Sequence, residues 1–201
     1  MSAMHKLSYG LFVVTAKGDK GHNGCITNTV MQVTVDPEMI VVAVNKANYT
    51  HDLIVASGEF NVSVISEDAN FELFKHFGFQ SGRDVDKFGF YEPWGLTANR
   101  LAYVKEGTNA YISAKVESSI DLGTHTLFVA RVTESKVLSD VPSATYAYYF
   151  ANIKPKPAEK AANAKTKWRC KICGFEIETE ELAPDFICPW CKHGVEDFEK
   201  V

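Results

Sequence analysis

A chain of 201 residues with a net charge of −4 has room for one ordinary domain plus a small appendage, and its charge leaves no electrostatic footprint for nucleic acid. Hydrophobic content of 46% with 12% aromatics indicates a packed globular protein, yet no apolar run approaches the ~20 residues of a membrane span. The N-terminus lacks the charged, apolar, small-residue succession of a signal peptide, so the cytoplasm is the expected compartment.

Strand signals dominate the first three-quarters of the chain. Residues 9–15, 25–33, 39–44, 60–65, 110–117 and 127–137 are rich in Val, Ile, Thr, Tyr and Phe. The stretch 17–21 (KGDKG) predicts a turn between the first two. Two helices interrupt. One follows Thr50 and stops at Gly58; the other starts near Asn70 and stops at Gly78, with Phe71, Phe74 and Phe77 at helical spacing. Strands outnumber helices and do not alternate with them. The expected fold class is therefore mainly β, a barrel with peripheral helices rather than a doubly wound sheet. Gly18, Gly21 and Gly24 lack the spacing and the βαβ setting of a dinucleotide fingerprint, which argues against a Rossmann domain.

Residues 152–166 (NIKPKPAEKAANAKT) read as a linker, stiff at Pro155 and Pro157 and otherwise flexible or weakly helical. Such a length reaches roughly 20 Å as a coil and about 40 Å when extended. Tethering at that range holds two sites at an effective concentration on the order of millimolar, which argues for exchange between domains rather than bare fusion. The expected domains are residues 1–151 and 167–201, with the linker between them.

Beyond the linker stand two C-x-x-C hooks, Cys170 with Cys173 and Cys188 with Cys191, 14 residues apart. Each hook puts two sulfurs on one tight turn, and two hooks close a tetrahedral four-thiolate cage for zinc or iron. Spacing alone leaves the metal open between those two. A disulfide framework is the weaker reading, since nothing suggests secretion. The segment is too short to bury a stable apolar core, so a metal must supply much of its folding free energy. Five Lys/Arg against eight Asp/Glu from Lys167 onward make this end acidic. Its acidic residues, Glu178, Glu180, Glu181 and Asp185 among them, read first as a solvated face and only second as a docking patch for a basic partner.

The runs WRCKICGF at 168–175 and DFICPWC at 185–191, with Phe198 seven residues on, resemble rubredoxin. The resemblance implies iron in the four-cysteine site, a φ > 0 turn at Gly174 that aims amide N–H groups at sulfur, and a small aromatic core of Trp168, Phe175, Phe186, Trp190 and Phe198. The stretch between hooks is shorter than in free-standing rubredoxins and is closer to rubrerythrin tails. Lys192 and His193 follow the second hook where rubredoxins usually have Gly. A Lys at φ > 0 is mildly costly and puts one N–H···S bond in question; His193 reads as an exposed side chain, not a fifth ligand.

Six segments of the first domain resemble, in their order, the flavin reductase-like, FMN-binding split barrels. They are KLSYGL at 6–11, NGCITNTV at 23–30, VNK at 44–46, YTH at 49–51, FQSGRDVDKF at 79–88 and GTHTLF at 123–128. A split barrel followed by a rubredoxin is also the layout of the high-molecular-weight rubredoxins. The resemblance implies FMN as cofactor, with Lys46, Thr50, Ser81, Arg83 and Lys87 at its phosphate and the helix after Thr50 offering backbone N–H groups. It implies Asn23, Gly24, Thr27, Asn28, Thr29 and Asn45 along the flavin, and His125 near the ring and the nicotinamide. As bare residues, Lys46 and Lys87 read as surface lysines, Cys25 as a small buried side chain, His125 as a structural histidine, and Tyr9 and Tyr146 as core.

The function so implied is electron transfer from NADH or NADPH through FMN to an iron held by the four cysteines, and on to an acceptor such as a flavodiiron oxygen or nitric oxide reductase. The same resemblance implies a homodimer or higher homo-oligomer. Two alternatives remain open on sequence: a flavin or ferric reductase with an accessory metal tail, and a zinc-ribbon recruiting module on a flavin-binding scaffold.

Overall fold

The computed structural model describes residues 3–155, 166–179 and 181–201. Most of the predicted linker, residues 156–165, and Glu180 lie outside them. The chain divides into two units at Pro155. Among the described residues no helix is long and apolar enough to cross a membrane.

The larger unit is built on one seven-stranded antiparallel sheet. Its strands are β1 (Phe12–Gly18), β2 (Gly21–Thr27), β3 (Val30–Val35), β4 (Glu38–Asn45), β5 (Glu59–Ile65), β8 (Thr108–Asp121) and β9 (His125–Val137), with β6 (Trp94–Leu96) and β7 (Ala102–Val104) as a separate small hairpin. The spatial order is β2-β1-β5-β8-β9-β4-β3. Register shifts in β8 at Ser113/Ala114 and Val116/Ser118 mark bulges, which let the longest hairpin curl. Curling brings the sheet's two edges, β2 and β3, back together at the short connection Asn28–Thr29. The β-branched composition reads residues 25–33 as one strand; the structure breaks them there, because β2 pairs with β1 and β3 pairs with β4 on the opposite edge.

Two apolar clusters explain why several strands are buried on both faces. Val14, Val42, Val44, Phe60, Val62, Phe128 and Ala130 fill the interior of the curled sheet. Val13 and Ile65 point the other way, where they meet Leu73, Phe74 and Phe77 of helix α2 (Phe71–Gly78) and Tyr149. Asn70 caps α2, its side chain accepting from the Leu73 N–H at 3.2 Å. Helix α1 (Tyr49–Ser57) ends at Gly58 in the left-handed region, φ 71°, with the Gly58 N–H on the Ile54 carbonyl at 2.8 Å. Tyr111 and Glu134 clamp β8 to β9 through a 2.6 Å hydrogen bond, and Glu134 also accepts from the Ala98 N–H.

Other elements differ from the periodicity. The first strand begins at Phe12, and Tyr9 instead stands edge-on to Tyr146 at 6.2 Å. Tyr146 is exposed, not core: it opens a short helical segment, Tyr146–Tyr148, that runs on through one π turn to Ile153.

The smaller unit is a three-stranded sheet, β11 (Glu176–Thr179), β10 (Thr166–Cys170) and β12 (Phe198–Lys200) in spatial order. Among its described residues, Cys170, Cys188 and Phe198 are buried. Trp168, Phe175 and Phe186 pack partly against them, whereas Trp190 is 69% exposed and touches Phe175 edge-on.

Candidate functional site

The sulfur cage follows from two turns with the same hydrogen-bond pattern. In the first hook the Cys170 N–H bonds the Phe175 carbonyl at 2.8 Å and the Gly174 N–H bonds the Cys170 carbonyl at 2.9 Å. In the second, the Cys188 N–H bonds the His193 carbonyl at 2.8 Å and the Lys192 N–H bonds the Cys188 carbonyl at 3.0 Å. Both turns need a residue at φ > 0. Gly174 (φ 76°) supplies it in one and Lys192 (φ 62°) in the other, so lysine adopts the conformation despite its Cβ. Backbone N–H groups consequently reach sulfur in both hooks, Phe175 to Cys173 and His193 to Cys191. The bond that Lys192 put in question is retained.

The four Sγ atoms of Cys170, Cys173, Cys188 and Cys191 lie within 4.8 Å of one another. Burial opposes ionisation of Cys188, but the N–H groups of Cys191 and Trp190 and the neighbouring thiols outweigh it and bring the thiol down to about 6. Four converging soft donors with amide support match a tetrahedral metal. Cys170 and Cys188 are buried and Cys173 and Cys191 half-buried, so the cage opens to solvent on one side. His193 is exposed, its Nδ1 on the Cys191 carbonyl.

In the larger unit, β2, the start of α1 and the segment after α2 enclose a cavity of about 280 Å³ whose wall includes Asn23, Cys25, Asn48, Thr50, Ser81, Gly82 and Lys87. Lys87 is the most informative of these. It is 3% exposed, and its ammonium donates to the Gly24 and Phe77 carbonyls at 2.9 Å each. No carboxylate pairs with it among the described residues. It is no surface lysine: burial lowers its pKa below the ordinary range, and a desolvated cation with one N–H to spare favours an anion beside it. Its backbone is pinned too, the carbonyl accepting from His76 Nε2 at 2.6 Å.

Other donors face the same space. Asn48 is the N-cap of α1 but makes no side-chain capping bond, which leaves the first N–H groups of that helix for a ligand. The Thr50 hydroxyl is buried and accepts from Asn23 Nδ2 at 3.0 Å, while Asn23 Oδ1 has no partner among the described residues. A buried ammonium, a hydroxyl pair and an uncapped helix start form a cradle that fits a phosphate monoester.

Thr27, Asn28, Thr29, Asn45, Lys46 and His125 are not part of the wall of this cavity and stand in two groups. Thr27, Asn28 and Thr29 stand at the split between β2 and β3, where the Thr27 and Thr29 hydroxyls bond each other at 2.7 Å and Thr29 reaches the Ala43 carbonyl of β4. Two residues along β4, Asn45 is in register with His125, and the Lys46 N–H bonds the Thr124 carbonyl at 3.0 Å. His125 opens β9 directly after the turn at Gly123 and shares a 2.9 Å hydrogen bond with the Thr124 hydroxyl.

Lys46 and Arg83 are not free in the same sense as Lys87. Lys46 pairs with Asp121 at 2.7 Å, and Arg83 pairs with Asp52 at 2.6 Å while lying over the Tyr49 ring. The Arg83 hydrogen bond, aided by His51, holds Asp52 below the usual carboxylate range, and Lys46 with the Gly123 N–H does the same for Asp121. Arg83 lines an adjoining cavity of about 320 Å³ that shares Asn23, Tyr49 and Gly82 with the cradle. Gly82 went unremarked among the predicted site residues. Its only sequence signal was a glycine between Ser81 and Arg83, and its role is close approach: a Cβ there would lie 2.0 Å from Asn23 Oδ1.

Comparison with known proteins follows the same two-unit division. The flavin reductase like domain model matches residues 4–156, and the rubrerythrin, rubredoxin-like domain model matches residues 168–199. The high molecular weight rubredoxin of Moorella thermoacetica is 35% identical, with 99% of this chain and 98% of that protein covered. The NAD(P)H ferric-chelate reductase of Archaeoglobus fulgidus is 39% identical over 80% of this chain and 95% of its own length. Among solved structures, the styrene monooxygenase flavin reductase of Pseudomonas putida matches with a TM-score of 0.56 and 27% identity, over 67% of this chain and 85% of that one.

Proposed function

The chain belongs to the flavin reductase like family and, over its whole length, to the high molecular weight rubredoxins, and from that premise we propose that it is a two-centre electron carrier. In this reading the barrel binds FMN and accepts electrons from NADH or NADPH, the four-cysteine domain holds one iron, and the acceptor is a flavodiiron oxygen or nitric oxide reductase. The observation that carries it is the pairing, in one chain, of a phosphate-shaped cradle built on a buried, uncompensated Lys87 with four thiols converging within 4.8 Å. Flavin chemistry accepts a hydride as an electron pair, and iron held by four thiolates exchanges electrons singly; that is what the two groups supply when bound.

The chain's own residues divide the work as follows. Lys87, Thr50, Ser81 and the start of α1 hold the phosphate. Lys46 and Arg83 add positive field from the rim, each steadied by its aspartate. Asn23, Gly24, Thr27, Asn28, Thr29 and Asn45 edge the flavin along the split, and His125 stands at the hairpin where a nicotinamide would approach. Cys170, Cys173, Cys188 and Cys191 ligate the metal, and their amide partners stabilise thiolate charge. A homodimer fits β3, whose Met31, Val33 and Val35 are exposed along an edge strand of the sheet. We place the protein in the cytoplasm, where thiols stay reduced for metal.

A second reading, reduction of ferric complexes by the barrel alone, is favoured by the 39% identity to a ferric-chelate reductase whose near-complete length matches four-fifths of this chain. Anaerobic stopped-flow with each nicotinamide separates the two. The carrier reading expects flavin absorbance to bleach first and iron second, with Cys173→Ser removing the second phase and sparing the first. Loss of both phases in that variant contradicts the order. Ferric-chelate turnover at the wild-type rate by Cys173→Ser supports the second reading, and natively produced protein holding zinc without iron rules out the carrier.

A further inference from the structure

His51 stands in the middle of the site, yet the function above gives it no task. It is 9% exposed and belongs to the wall of neither the cradle nor the adjoining cavity, so it acts on a ligand only through its neighbours. One turn of α1 sends three successive side chains to three different places. Thr50 faces the cradle. His51 turns inward, where its ring lies 5.7 Å from that of Phe128 and its Nε2 hydrogen-bonds the Thr126 hydroxyl at 2.9 Å. Asp52 turns outward, and its Oδ2 holds the Arg83 guanidinium at 2.6 Å over the Tyr49 ring. His51 Nδ1 meets the other Asp52 oxygen at 3.1 Å. A carboxylate only accepts, so Nδ1 carries the hydrogen and Nε2 is left to serve Thr126. One hydrogen-bonded line, Thr126–His51–Asp52–Arg83, thus starts beside His125 at the hairpin and ends in the cavity next to the cradle.

We infer that His51 is a positioning residue that keeps the phosphate end and the nicotinamide end of the site in register: Nδ1 fixes Arg83 through Asp52, and Nε2 fixes the start of β9, with His125, through Thr126. The inference rests on the flavin reading above. The two bonds act at different places. Asp52 gives one oxygen to His51 and the other to Arg83, so losing the Nδ1 bond lets the carboxylate swing and the guanidinium leave the rim. Losing the Nε2 bond unties the hairpin from α1, while the backbone ladder that pairs Thr126 with Val44 and His125 with Asn45 keeps the strand in place. What each loss disturbs is aim rather than fold, and small errors of aim are costly at a reacting centre.

The test takes the imidazole apart. Asparagine's short side chain puts an amide near the Nδ1 position, and glutamine's longer one puts it near Nε2. Each variant is made in the full, iron-loaded chain. Fluorescence titration of flavin-stripped protein reads the FMN dissociation constant. Anaerobic bleaching at saturating FMN reads the NADH or NADPH concentration that gives half the limiting rate. His51→Asn should bind FMN as wild type does and need about tenfold more nicotinamide, whereas His51→Gln should keep the nicotinamide requirement and bind FMN about tenfold more weakly. His51→Leu should show both losses. Thr126→Val and Asp52→Ala, at the two ends of the line, should repeat the single losses, which keeps the test decisive where His51→Leu does not fold. Variants that lower only the melting temperature overturn the inference, as do His51→Asn and His51→Gln that lose both properties together. If wild type fails to bind FMN, or neither nicotinamide bleaches it, the flavin reading itself falls; wild type that does both, with no split among the variants, defeats only the positioning role.

Discussion

Gly82→Ala is a small change with a calculable consequence. The added Cβ would stand 2.0 Å from Oδ1, 2.4 Å from Cγ and 2.5 Å from Nδ2 of Asn23. Gly82 lies outside the left-handed region, so the backbone tolerates alanine and the clash is purely steric. The Asn23 amide must retreat by about 1 Å to reach a tolerable contact, and it is buried with its Nδ2 on the Thr50 hydroxyl at 3.0 Å. Retreat breaks that bond and strands a buried donor, a cost of about 1–3 kcal/mol. Restricting the unfolded chain returns about 0.4–1 kcal/mol. The net loss is therefore about 1–2 kcal/mol, or a fall of about 2–8 °C in the melting temperature of a domain this size. FMN affinity falls as well, because Thr50 loses the partner that orients it. A double-mutant cycle with Asn23→Ala isolates the effect. With the amide gone, Gly82→Ala becomes neutral or slightly stabilising, which gives a coupling of about 1–3 kcal/mol in thermal and denaturant unfolding. Equal cost in both backgrounds would refute the argument that Gly82 exists to let the loop lie on Asn23.

Metal removal should unfold the small unit and leave the barrel's melting unchanged, since thiolate sites in small domains contribute about 10–16 kcal/mol and, among the described residues of this one, only Cys170, Cys188 and Phe198 are buried. Amide dispersion in two-dimensional NMR reads this directly, and a tail that stays dispersed without metal contradicts it. Lys192→Gly relieves a lysine at φ 62°, so it should slow metal release in denaturant and gain up to about 1 kcal/mol after glycine's own entropy cost; faster release would be the opposite result. The Tyr111 phenol is pushed up to about 12, first by its hydrogen bond to Glu134 and then by burial. Because the folded value exceeds the ordinary value of about 10, its stabilisation is complete below about pH 10 and disappears as pH rises through about 12. Melting curves across that window should fall more steeply for wild type than for Tyr111→Phe, and identical slopes would count against the coupling.

Much of this was legible in the chain because the determinants are local. The hooks follow from spacing over a few residues, and the resemblance to rubredoxin implied the φ > 0 turn at Gly174 and the partial burial of Trp168, Phe175 and Phe186. The helix stop at Gly58 and the cap at Asn70 are equally local. Runs rich in Val, Ile, Thr, Tyr and Phe identified the strands because such side chains suit a pleated surface that must leave water on one face or both. Trp190 shows where such reasoning thins: an aromatic beside a ligand reads as core, yet its hook turns it outward.

Other features depend on what meets what across long stretches of chain. The β-branched run of residues 25–33 continues past Asn28 to Thr29 and Val30, so composition alone does not mark the split; it exists because β2 and β3 are opposite edges of one curled sheet. Lys87 sits in a charged run with Arg83, Asp84 and Asp86 that looks solvated. Only the folding of that segment onto β2 and the end of α2 brings two carbonyls within 2.9 Å and takes the ammonium out of water. Composition and spacing alone thus determined the sheet-rich class, the helix ends and the thiol cage, whose interactions span a few residues. The tertiary structure decided where the barrel opens and which lysine is buried, because burial depends on contacts between segments far apart in the chain.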